Sequence, residues 1–149
     1  MKEHEYTLAF AESMTCGILS ATIGNVNGTS DFFKGSIVCY DESVKKDILN
    51  IRQKDLETWS AESQEITDSL AKNLRTIIPA DVCGAITGLA APGGSENARK
   101  PVGTVFFSVY HKKELHSLRK VFRGTPLQIK KKAVDAMFLY ICDILNKSQ

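Results

Sequence analysis

The sequence predicts an α/β fold: a three-layer α/β/α sandwich around a mixed sheet of about five strands. Short strand-like apolar runs alternate with apolar stripes at helical spacing, the pattern of strands joined by crossover helices. Two further strand-like runs then follow each other across a short polar turn, the mark of an antiparallel hairpin. The chain has 149 residues, 43% of them hydrophobic and 24% charged, enough to bury one core. A single domain over residues 1–149 is therefore expected.

The elements follow in order. Residues 6–11 read as a strand, and a helix is expected over 15–24, with Ile18, Leu19 and Ile23 as its apolar positions. Residues 25–31, rich in Asn, Gly, Thr and Ser, form a loop. A strand follows at 35–40 and a helix at 42–50, with Val44 and Ile48 on one face. Ser63 opens the next helix, which carries Gln64 and Glu65 in its first turn and Ile66, Leu70, Leu74 and Ile77 as its stripe. Residues 80–87 read as a buried strand, and 88–100 as a long polar loop carrying Pro92-Gly93-Gly94. Strands at 102–111 and 115–123 flank a turn at Lys112-Lys113. A final helix covers 126–146, apolar at Ile129, Ala133, Met137, Tyr140 and Ile144. No repeat and no linker interrupts this order.

Bulk chemistry excludes several classes. The net charge of +2 gives no global case for nucleic acid or an anionic membrane. The one basic run, Lys130 to Lys132, spreads over different faces of a helix. No apolar stretch approaches the ~20 residues of a membrane span. Met1-Lys2-Glu3-His4-Glu5 is not followed by an apolar run of the kind a signal peptide needs. Cys16, Cys39, Cys83 and Cys142 are widely spaced, and His4, His111 and His116 show no metal-ligand spacing. Reduced, buried thiols in a cytoplasmic protein, with no metal site, are the expectation. Each His is expected to be solvated, so no Ser-His-Asp set forms.

Three strand ends carry residues able to do chemistry: Glu12-Ser13-Met14-Thr15, Tyr40 with Lys45 beyond it, and Thr87-Gly88 with Pro92-Gly93-Gly94. In an open α/β sheet, the carboxyl ends of parallel strands converge on one crevice. Ser13, Tyr40, Lys45 and Thr87 are therefore expected around one pocket. Ser13 sits where a nucleophile is presented, and Thr15 to Gly17 where helix N–H groups hold an anion; the alternative is that Ser13 or Thr15 caps the helix. A partly desolvated Lys45 loses basicity, and its neutral amine can take the Ser13 proton; the alternative is a solvated lysine like Lys46. Tyr40 is otherwise a half-buried aromatic. The loop after Thr87 matches neither a P-loop nor a dinucleotide fingerprint, but Gly88, Gly93 and Gly94 let backbone approach a ligand closely. Cys16 at a helix start is expected to be the most reactive thiol; otherwise it fills space under the loop.

Four ordered motifs resemble one family. They are Ala11-Glu12-Ser13-Met14-Thr15-Cys16-Gly17, then Gly35 to Lys45 with Leu49-Asn50-Ile51, then Ile86-Thr87-Gly88-Leu89-Ala90-Ala91-Pro92-Gly93-Gly94, and Lys100 to Val105. Together they are similar to the C-terminal domain of the competence/damage-inducible protein CinA, the nicotinamide mononucleotide amidohydrolases. The resemblance runs from about Leu8 to the end of the chain. It implies deamidation of nicotinamide mononucleotide to nicotinate mononucleotide and ammonia, in pyridine nucleotide salvage, without metal or organic cofactor. It implies Ser13 as nucleophile, Lys45 as base and Tyr40 in support. Glu12, Thr15, Cys16, Gly17, Thr87, Gly88, Gly93, Gly94 and Lys130 would then bind substrate. It also points to recombination or competence proteins as partners, and leaves a homo-oligomer open. The pyrophosphatase domain of longer CinA proteins has no counterpart in these motifs, so no pyrophosphatase activity is expected.

Four positions depart from the family pattern. Cys16 stands for a Gly, Ala91 for a Gly, and Asp41-Glu42-Ser43 for an Asn-Glu pair. The late Gly-Asp-Arg motif is replaced by Gly124-Thr125-Pro126, and a following Arg by Lys130, which keeps the charge but not the bidentate fork. The second expectation is therefore a catalytically degenerate relative that binds a nucleotide or protein partner.

Overall fold

In the computed structural model, which describes residues 1 and 5–147, one sheet is built from β1 (Leu8–Glu12), β2 (Phe33–Val38), β3 (Val82–Gly88), β4 (Thr104–His111) and β5 (Glu114–Val121). The order is β2-β1-β3-β4-β5. β1 runs parallel to β2 and β3, whereas β3, β4 and β5 pair antiparallel. The helices are α1 (Ile18–Gly24), α2 (Glu42–Asp47), α3 (Gln53–Trp59), α4 (Gln64–Ile77) and α5 (Pro126–Lys147). The mixed five-stranded sheet and its helical layers match the sequence reading.

Alternation along the strands divides the core into two layers. Leu8 and Phe10 of β1 pack with Leu19 and Ile23 of α1 and with Met137 and Ile141 of α5. Ala9 and Ala11 face the other way, onto Leu49, Leu56, Ile66, Leu70 and Leu74. Gly84 has no side chain because a Cβ there would come within 2.8 Å of the Phe10 ring. The hairpin turn at Lys112-Lys113 has φ of 49° and 66°, left-handed at both central positions, as a two-residue turn matched to strand twist demands.

Several boundaries and environments differ from expectation. α1 begins at Ile18 rather than Thr15, because Cys16 and Gly17 are both left-handed, with φ of 48° and 92°. α2 stops at Asp47, and Asn50 (φ 54°) turns the chain away. α3 was not legible, since Leu56 is its one buried residue. His111 is buried rather than solvated: its Nδ1 lies 3.0 Å from the Asp81 carbonyl and its ring stands edge-on to Tyr6. His116 is half-buried, and His4 lies outside the described residues. Cys39 and Cys83 are buried, but Cys16 and Cys142 are exposed. Among the described residues no helix is long and apolar enough to cross a membrane.

Candidate functional site

The parallel strands β1, β2 and β3 deliver their carboxyl ends to one edge of the sheet. A cavity of about 310 Å³ opens there, within the range for small-molecule sites. Its walls are Ser13 and Met14 after β1, Tyr40 after β2, Glu62 before α4, Gly88 at the end of β3 with residues 89–94 beyond it, and Pro126 and Lys130 of α5. A larger hollow of about 640 Å³ lies at the opposite edge, lined by His111, His116, Tyr140 and Asp143. No parallel strand ends there, so the chemistry is sought at the smaller one.

Glu12 is not a ligand-facing residue. Its carboxylate is fully buried and accepts from the backbone N–H groups of Gly17, Leu19 and Ser20, at 3.1, 3.0 and 2.8 Å. The hydroxyls of Thr15, Ser20 and Ser36 donate to the same group. The N–H groups expected to hold a substrate anion are thus occupied by the protein's own carboxylate. Neither Ser13 nor Thr15 caps α1; Glu12 does. Glu12, Thr15, Cys16 and Gly17 do not line this cavity. Cys16 is neither cavity-facing nor a buried filler but exposed, in a conformation that Gly adopts more readily.

Ser13 follows directly. Its N–H donates to the Ile86 carbonyl at 3.0 Å and its carbonyl accepts from Cys16 N–H at 3.1 Å, which fixes the loop on β3. Cys39 N–H donates to the Glu12 carbonyl at 2.8 Å, so Ser13 and Cys39 leave the sheet side by side. Lys45 is 1% exposed, unlike Lys46, and its Nζ donates to the carbonyls of Cys39 (2.6 Å) and Tyr40 (3.1 Å). Burial depresses its pKa, against weaker opposing pulls from Cys39 and Glu62. Asp41 caps α2 by accepting from Ser43 N–H at 2.8 Å, which places Lys45 one turn in, against the sheet edge. Lys45 does not itself line the cavity; it sits behind Tyr40, whose side chain is exposed at the rim rather than half-buried.

Thr87 is turned away. Alternation along β3 points it at α4, where its hydroxyl meets that of Thr67 at 2.7 Å, so it does not join the pocket. Gly88 lines the cavity, but its lack of a side chain has a packing cause: a Cβ would lie 2.5 Å from the Thr104 carbonyl. Gly93 is left-handed, φ 100°, with open space where a Cβ would stand. The N–H groups of Gly93 and Gly94 donate to the two oxygens of Glu96, each at 2.8 Å. Those bonds, Gly93's first, hold the Glu96 carboxyl below its ordinary pKa. Lys100 braces the loop: its Nζ donates to Ser60 Oγ, Glu62 O and Ser95 Oγ at 2.8, 2.8 and 2.6 Å. Burial lowers its pKa. Glu62, whose carboxylate accepts from Ser95, was missed; standing just before the Ser63 cap was its only signal.

At the far wall, Thr125 and Gln128 form a reciprocal cap. Thr125 N–H donates to Gln128 Oε1 at 2.8 Å, and Gln128 N–H to Thr125 Oγ1 at 3.3 Å, with Pro126 in the first turn. The residues replacing Gly-Asp-Arg thus start α5, and Lys130 one turn on faces the cavity. Lys131 and Lys132 are exposed, and Lys132 donates to the Arg123 carbonyl. Among the described residues, no group of three or more His, Cys, Asp or Glu is placed to hold a metal ion.

A mixed sheet between helical layers, with a Ser, a buried Lys and a glycine loop at its parallel edge, defines a small α/β domain with a strand-end ligand cavity. The chain belongs to the CinA C-terminal domain family, whose pattern matches residues 1–145. It is 37% identical over 142 residues to a CinA-like protein of Petrotoga mobilis, covering 95% of this chain and 35% of that protein. The chain thus spans about a third of the length of that curated relative. Its fold is similar to the competence damage-inducible protein A (ComA) of Klebsiella pneumoniae, with TM-score 0.93 and 26% identity over 99% of this chain and 91% of that one. It is also similar to a competence-damaged protein (CinA) superfamily protein of Enterobacter cloacae, with TM-score 0.90 and 30% identity over 96% and 84% of the two chains.

Proposed function

We propose that this domain deamidates nicotinamide mononucleotide, giving nicotinate mononucleotide and ammonia. The observation that carries the reading is the environment of Lys45. A neutral amine has two N–H groups and one lone pair. Both donors are taken by the Cys39 and Tyr40 carbonyls, and burial favours the uncharged form. The lone pair remains as the free valence, and the Cys39 carbonyl that anchors Nζ leaves the sheet at the same end as Ser13.

In this mechanism Ser13 Oγ attacks the amide carbon while Lys45 Nζ takes its proton. The tetrahedral oxyanion collapses, and the Lys45 ammonium returns the proton to the departing ammonia. Water then attacks the Ser13 ester while Lys45 accepts a water proton; on collapse Lys45 gives that proton to the departing Ser13 oxygen, and the acid product ionises to the carboxylate. The nucleotide occupies the cavity, with Tyr40 at its rim and Lys130 facing its anionic part.

A second reading is a domain that binds the nucleotide without turnover. It is favoured by Lys130 as the cation at a wall where the family pattern carries arginine. Ammonia release from nicotinamide mononucleotide separates the two. Ser13→Ala is expected to abolish release in a folded protein, and Lys45→Met to reduce it at least ~100-fold, the lower end of a general base's contribution. Losses under about tenfold for either variant would count against the Ser-Lys pair.

A further inference from the structure

We propose that Glu62 sets a preference for a cationic ring: its carboxylate, on the cavity wall, is the counter-charge for a pyridinium that bears the scissile amide. The inference deepens the deamidase reading above and rests on it. Nicotinamide mononucleotide has a quaternary ring nitrogen, a fixed positive charge, and a phosphate at its other end. The cavity wall carries one acidic and one basic side chain, Glu62 and Lys130. They come from opposite helical layers. α4, which follows Glu62, shares a core layer with Ala9 and Ala11 of β1 through Ile66 and Leu70. α5, which carries Lys130, shares the other with Leu8 and Phe10 through Met137 and Ile141. The end of β1, with Ser13, lies between the two layers. Opposite charges held apart across the sheet edge complement a ligand whose own charges are separated.

No cation of the protein neutralises Glu62 directly. Among the described residues its carboxylate forms no ion pair. The three bonds of Lys100 Nζ go to Ser60 Oγ, the Glu62 carbonyl and Ser95 Oγ, all uncharged acceptors. The carboxylate is reached only through the Ser95 hydroxyl, which donates to one of its oxygens. That chain fixes the side chain without cancelling its charge. A half-buried carboxylate without a paired cation is costly, and a cationic ligand offsets the cost. The Glu62 charge also reaches Lys45, where it opposes the burial that lowers that amine's pKa. Glu62 therefore stands toward the reacting end of the cavity.

The test is calorimetric titration of the full chain carrying Ser13→Ala, so that ligand is bound and not consumed. The probes are nicotinamide mononucleotide and its reduced dihydropyridine form, which keeps the amide, ribose and phosphate but has an uncharged ring. Added to this background, Glu62→Gln keeps an acceptor for Ser95 and removes only the charge. It is expected to weaken the oxidised form roughly five- to tenfold and the reduced form less than about twofold. Glu62→Asp keeps the charge and is expected to hold the preference for the oxidised form to within about threefold. Equal weakening of both forms by Glu62→Gln overturns the inference, because it makes Glu62 a brace for the loop or an acceptor for the amide N–H groups. Unchanged binding of both forms overturns it too. In either case the mononucleotide still binds the Ser13→Ala protein, so only the Glu62 inference fails. If neither form binds that protein, the ligand-site reading fails with it.

Discussion

Replacing Glu12 with Gln removes one oxygen's worth of charge and tests whether the first motif is architecture. One Glu12 oxygen accepts from Thr15 Oγ1, Gly17 N and Leu19 N, and the other from Ser20 N, Ser20 Oγ and Ser36 Oγ. The Gln amide nitrogen must face one of these sets. Placed on the second, it confronts one backbone N–H, while the two hydroxyls can rotate to accept. That orphans Ser20 N–H, at about 1–3 kcal/mol for an unsatisfied buried donor. The bonds kept on the first set lose their charge assistance, a further ~1–2 kcal/mol. The total, about 2–5 kcal/mol, corresponds to a fall in Tm of roughly 4–20 °C for a domain of this size. Urea unfolding followed by circular dichroism measures it, with Glu12→Ala as a second variant expected to fall at least as far. A loss below about 1 kcal/mol would refute the reasoning, because it would mean that water, not Glu12, satisfies the start of α1.

Four further outcomes follow. Turnover should rise with pH as the neutral form of Lys45 accumulates through its depressed pKa, and this limb should vanish in Lys45→Met. The same group affects stability. Its folded pKa lies below the unfolded 10.5, so between the two the unfolded chain holds more protons and wild-type stability relative to Lys45→Met should rise with pH. Iodoacetamide should label Cys16 and Cys142 quickly, while Cys39 and Cys83, buried and with pKa values pushed up to about 11 by desolvation, stay unlabelled until unfolding; mass spectrometry counts the adducts. Lys130→Ala should weaken mononucleotide binding more than Lys131→Ala or Lys132→Ala in calorimetric titrations, and equal small effects would make the run a solvated helix start.

The strands and α4 and α5 were legible because their apolar spacing is imposed by burial on one face. α3 was not, since Leu56 alone anchors it and one buried residue has no period. The site was legible as a place more than as a set of roles. Ser13, Tyr40, Gly88, Gly93, Gly94 and Lys130 line the cavity. Glu12, Thr87 and Lys45 were harder to read for one reason: a polar side chain's direction depends on the elements packed around it. A carboxylate beside a Ser looks reactive until the helix it caps is in view. Lys45 and Lys46 are the same residue type in adjacent positions, and only packing separates a buried amine from a solvated one.

The burial of Glu12 also sets a polarity along the cavity. A helix start beside Ser13 would ordinarily draw negative charge toward the nucleophile, but here that attraction is spent internally. The opposite wall carries the side chain of Lys130, one turn into α5. A molecule with an anionic end and a neutral amide end thus meets an electrostatic gradient before it meets any shape. It enters charge-first toward α5, leaving the uncharged end beside Ser13. Under the proposed reaction, a substrate with its negative group adjacent to the scissile bond would be turned the wrong way round.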